Sequence, residues 1–160
     1  MRHSLQTTVV AIAALLAAAA PTSAGDPRSL AARCTLKVVN ALPGEGGIDQ
    51  RITRLRPYLQ APPYTHWHSF KLLSEKDAEL TPGATASYPL PNGRAATVTY
   101  TEHGQAPNGK HLVRGVFHVE APRSAARTAF ALDEGGLFMV AGEKFGGGIL
   151  IYSLSCKTND

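Results

Sequence analysis

Residues 84–102 read ATASYPLPNGRAATVTYTE, and the fold class turns on them. In the second half, Ala96, Val98 and Tyr100 alternate with Thr97, Thr99 and Thr101. A two-residue period puts one set on the core face of a strand and the other on its wet face. Residues 84–89 make a second, shorter strand, and Asn92-Gly93 stands between the two. Both residues tolerate positive φ, so the spacing predicts a tight hairpin turn there.

Strand patterns continue toward the C-terminus. Gly104–Gly109 (GQAPNG) is a loop, and Lys110–Glu120 is a strand with Val113, Phe117 and Val119 on its more apolar face. Arg127–Leu132 and Leu137–Ala141 form a hairpin around Asp133-Glu134-Gly135-Gly136. In Gly148–Cys156 the apolar residues Ile149, Leu150, Ile151, Tyr152 and Leu154 almost run together. A strand apolar on both sides is covered on both sides, so this one is expected to be central. Toward the N-terminus, His66–Leu73 is an aromatic-rich strand, and Cys34, Leu36 and Val38 alternate with Thr35 and Lys37.

One segment has a different period. Ile52, Leu55 and Leu59 recur at steps of three and four, which is a single helical stripe over about 49–60. Asp49 is its N-cap candidate. Pro57 removes a backbone donor and is expected to disturb the last turn, and Ala61-Pro62-Pro63 ends the helix. The pattern therefore predicts an α+β, mainly antiparallel β domain. It is a sandwich or partly closed barrel of about 7–8 strands, with one N-terminal helix (about 49–60) on its side or end. Residues 34–156 form the single domain, 25–33 a lead-in and 157–160 a loose tail. No repeat of 20 to 50 residues is present.

The first 24 residues read as an address, not as structure. Arg2 and His3 precede a twelve-residue apolar run, Val9–Ala20, and Thr22-Ser23-Ala24 supplies small residues for cleavage after Ala24. At 1.5 Å per residue a helix of that length covers about 18 Å, short of a hydrocarbon core of about 30 Å. No later run is long enough, so no membrane span is expected in the mature chain. Lipidation is not expected either, because Cys34 lies far beyond the apolar run and follows Arg33. The expected location is periplasmic or secreted. In an oxidising compartment Cys34 and Cys156, the only two cysteines, are expected to form one disulfide across 122 positions. That spacing is unlike the close pairs of metal and redox sites.

The chain has 160 residues, 44% of them apolar, and a formal charge of +4. So mild an excess of cations points away from a nucleic-acid partner. Reaction motifs are missing. There is no G-x-S-x-G, no H-E-x-x-H and no G-x-x-x-x-G-K-[ST]. The glycines of Gly44–Gly47 are followed by Asp49 where a dinucleotide loop has its last glycine, and Glu45 and Asp49 repel phosphate. No cofactor is implied, and no residue stands out as catalytic. His66 and His68 are two apart, so on a strand both imidazoles share a face and make a candidate metal pair. His103 continues the threonine face of its strand and His118 accompanies Arg114 and Glu120, so both are expected to face solvent. Arg51, Arg54 and Arg56 make the helix basic, and Arg51 and Arg54 share a face opposite the apolar stripe. With Tyr64, Tyr58 and Trp67 they are candidate binding residues for a sugar or an anionic envelope polymer.

The order Gly46-Gly47-Ile48-Asp49-x-Arg51-Ile52 with Leu55 and Leu59, then Ser69–Leu73, then Leu90-Pro91-Asn92-Gly93-Arg94, then Gly147-Gly148-x-Leu150-Ile151, spans most of the chain. It resembles an uncharacterised group of short exported, β-rich bacterial proteins with no assigned activity. The resemblance implies export and one β-rich domain, and it brings no catalytic residue with it. The resulting expectation is a non-catalytic exported domain that works through surface contacts, with an anionic envelope polymer or another envelope protein as partner. A carbohydrate or polymer binder using Trp67, Tyr64, Arg51 and Arg54 is one alternative, and a metal binder through His66 and His68 is another.

Overall fold

The computed structural model describes residues 31–120 and 127–159. The expected signal segment, its cleavage site and most of the lead-in lie outside the described residues. The strands are β1 (Ala32–Leu42), β2 (Gly47–Ile48), β3 (Ser69–Leu80), β4 (Thr85–Pro89), β5 (Ala95–Gln105), β6 (His111–Val119), β7 (Arg127–Asp133), β8 (Phe138–Phe145) and β9 (Gly148–Thr158). They form two sheets, one in the order β2-β3-β1-β9-β8 and one in the order β4-β5-β6-β7. Every pairing is antiparallel except the short β2–β3 contact. The architecture is thus a sandwich with open edges rather than a barrel.

The alternations read from the sequence explain which faces meet. β1 and β9 pair so that Cys34, Leu36 and Val38 lie opposite Cys156, Leu154 and Tyr152. These six residues join Ala96, Val98, Tyr100, Val113, Phe117 and Phe130 of the facing sheet in one buried core. Phe138 of β8 reaches Phe117 and Phe130 across the interior, with ring centroids 5.6 and 5.8 Å apart. The Tyr88 hydroxyl crosses the same gap to donate to the Cys34 carbonyl at 3.1 Å. Burial holds its pKa up at about 12. Cys34 and Cys156 are joined as a disulfide.

The back of the first sheet is covered too. Val39, Ala41 and Ile151 point away from the sandwich and pack under Ile52, Leu55, Leu59 and Tyr64. Burying a Val, Ile or Leu side chain there stabilises the fold by about 1.5–3 kcal/mol relative to exposure. β9 therefore has covered faces on both sides, as its continuous apolar run predicts.

The structure departs from the sequence expectation in several places. The helix is not one α-helix over 49–60. It is a 3-10 segment, Gln50–Leu55, followed by α1 (Arg56–Leu59), with Ile52 at the non-helical φ −123°, ψ 22°. Pro57 sits in the first turn of α1, where its missing N–H costs nothing. β3 begins at Ser69, so His66–His68 precede the strand. Asn92 does not adopt positive φ. Gly93 alone does (φ 80°), and its N–H donates to the Leu90 carbonyl. Pro91 has preset an ordinary turn with a left-handed glycine after it, in place of the two-residue hairpin. Lys157 and Thr158 are not loose but continue β9, and Asn159 donates to the Ala31 carbonyl.

Candidate functional site

Trp67 stands at the wall of two grooves. The segment between α1 and β3 is a run of turns, with Tyr64 N–H donating to Ala61 and Trp67 N–H donating to Tyr64. Tyr64 is buried in the core behind the first sheet and anchors that run. The next residue, His68, donates to Leu42 and accepts from Gly47, which seats the segment between β1 and β2. Trp67 is left half-buried, packed at its base against the rear core. On one side lies a groove of about 360 Å³, with Ile48, Leu59 and Phe70 as its apolar wall and Arg56, Gln60 and His68 as its polar one. On the other lies a groove of about 480 Å³ between Trp67 and the turn Lys144–Ile149. An indole held by packing, with a cation in each adjoining groove, suits a ligand that has flat apolar faces and negative charge.

The other sequence candidates are placed differently. Tyr64 is 6% exposed, and burial raises its hydroxyl pKa, so it anchors the segment and offers no stacking surface. Arg51 is committed to structure. Its Nη2 donates to Asp49 Oδ2 at 2.6 Å and to the Leu72 carbonyl at 3.2 Å. Asp49 also accepts from Arg51 N–H at 3.0 Å and from Leu72 N–H at 3.2 Å. These donors hold its carboxyl well below the usual carboxylate range, the Arg51 side chain first among them. Arg54 and Tyr58 are exposed and line neither groove. His66 lies in a turn and His68 in the first groove, so the strand geometry that would align their rings is not present. Among the described residues, no group of three or more His, Cys, Asp or Glu gathers around a point.

The three arginines of the basic segment do not act together. Arg51 and Arg54 belong to the 3-10 segment, on either side of the break at Ile52, whereas Arg56 opens α1 and lines the first groove. Lys144 carries no local signal, because only the return of β8 into β9 brings it near Trp67. His118 lies on the outer face of β6, opposite Thr97, as its spacing predicts, and is half-buried there; His103 departs from the expected solvent-facing position. His103 turns inward to meet Tyr100 and His111. Comparison with protein-family models, with curated proteins and with solved structures returns no match.

Proposed function

We propose that this chain is an exported, non-catalytic binding domain whose contact surface is the Trp67 ridge, and that its ligand is an anionic polysaccharide of the cell envelope. The observation that carries the reading is that one half-buried indole borders both grooves, with Arg56 in one and Lys144 in the other. A sugar ring stacks on the indole face, and acidic groups on neighbouring sugars reach the two cations. The expected signal segment and the Cys34–Cys156 disulfide support an oxidising, extracytoplasmic setting.

Trp67 is the single tryptophan, so its emission reports the ridge directly. Titration with polygalacturonate is expected to shift that emission and to weaken as salt rises, while neutral dextran gives no shift. In pull-down, Trp67→Ala is expected to lower polymer affinity by at least about tenfold, as for a central aromatic anchor. Arg56→Ala and Lys144→Ala each lower it by less. Unchanged emission, or polymer retention by Trp67→Ala equal to the parent, overturns the reading. For export, N-terminal sequencing of envelope-fraction protein is expected to begin at Gly25, and a start at Met1 refutes it.

A further inference from the structure

We infer that His103 and His111 form a Cu2+ site at the loop end of the β5–β6 hairpin. Three features converge there, all away from the Trp67 ridge. The first is a bulge. β5 slips register against β6 between Tyr100 and Glu102, so the inward alternation Ala96, Val98, Tyr100 resumes at His103. His103 then stands opposite the buried Val113, and His111, two residues before Val113, shares that face. The rings meet, with His111 Nδ1 2.9 Å from His103 Nε2 and centroids 5.0 Å apart.

The second feature is an orienting partner. The hydroxyl of Tyr100, a fully buried residue, lies 3.1 Å from His103 Nδ1. A ligating imidazole generally has its other ring nitrogen held by such a group, which fixes the tautomer and aims the lone pair. Glu102 does not compete for the site, since the bulge leaves it outside, where Arg114 donates to it at 2.7 Å.

The third feature is the donor chemistry. Two imidazole nitrogens brought together across the hairpin are donors that Zn2+, Ni2+ and Cu2+ accept, and Cu2+ heads the affinity order. Binding replaces the hydrogen bond between the two rings by two metal–nitrogen bonds, and its proton passes to a distal ring nitrogen or to solvent. Both rings are half-buried, and water completes the coordination from the open side.

The test is substoichiometric Cu2+ added to the protein labelled with 15N-histidine. The His103 and His111 side-chain signals are expected to broaden before those of His66, His68 and His118. By calorimetry one Cu2+ is expected per chain. His103→Gln and His111→Gln each lower its affinity at least about tenfold, and Tyr100→Phe lowers it within the about 10–100-fold range of outer-shell partners. Replacing His66 and His68 together by Gln leaves it unchanged. Broadening that begins at His66 or His68 while His103 and His111 stay sharp overturns the inference, as does undiminished affinity in either single variant. Should His103→Gln fail to fold, the broadening pattern of the parent protein decides.

Discussion

At Leu72 the backbone is completed by side chains. The β1–β3 ladder pairs Val38 with Ser74 and Val39 with Leu72, so Leu73 is the extra residue of a bulge and is left 39% exposed. On the other side β2 ends at Ile48, and the Leu72 N–H and carbonyl have no further strand to meet. Asp49 accepts from the N–H and Arg51 donates to the carbonyl, so the ion pair stands in for a strand. Because the folded-state Asp49 pKa is depressed, its contribution is present above the unfolded value of about 3.9 and is lost as pH falls through the folded one. Denaturant titrations of the parent and Asp49→Asn are expected to differ most near neutrality and to converge toward the acid limit. A gap independent of pH contradicts this. Gly115 shows the opposite constraint. A Cβ there would lie 2.3 Å from the Thr99 carbonyl oxygen and 2.5 Å from Phe130 Cζ. Gly115→Ala is therefore expected to cost about 1–3 kcal/mol by overpacking, read from the denaturation midpoint.

Among elements, β8 is latched through Glu143. A register shift between Ala141 and Lys144 sets Gly142 and Glu143 of β8 against the single residue Leu150 of β9, a bulge of one extra residue. Gly142 lies against the Tyr152 ring, where a Cβ would come within 2.4 Å of Cε2. The Glu143 carboxylate then accepts from the Tyr152 hydroxyl at 3.0 Å and from the Asn92 side chain of the β4–β5 turn. One carboxylate thereby ties β8 and β9 to the facing sheet. Burial first, and the Glu143 carboxylate second, raise the Tyr152 hydroxyl well above its ordinary pKa. Glu143→Ala leaves that hydroxyl unpaired in a residue that is 1% exposed, and is expected to cost about 1–3 kcal/mol. Tyr152→Phe costs less, and the double variant costs less than the two singles together, which a double-mutant cycle measures.

For the whole molecule, the cross-link and the two cores share one skeleton. Cys34 and Cys156 are direct partners on the two adjacent central strands, and they close a loop of 122 positions. In the chain-entropy model such a closure removes about 5 kcal/mol of denatured-state freedom. Reduced protein is expected to unfold at a lower denaturant midpoint by up to that amount, with a larger m-value because its denatured state is less compact. Equal midpoints with and without reductant refute the estimate. The Trp67 ridge is itself a product of the whole chain, since its walls come from residues 47–70 and 144–149.

The sequence by itself determined what depends on near neighbours. Alternation at residues 96–101 and 34–38 set strands and their core faces, and the run 149–154 set a strand covered twice. The cysteine count left one possible cross-link within the chain, Cys34 to Cys156. Only the tertiary structure decided the bulges at Leu73, Thr101 and Gly142–Glu143, the broken helix at Ile52, and the meeting of Trp67 with Lys144 and of His103 with His111. The physical reason is that a strand's period is local, whereas a one-residue slip is chosen by the partner strand and by packing distant in sequence. A slip also turns every later side chain to the other face. That is why His103, placed with the threonines by its spacing, lies instead among the aromatic rings.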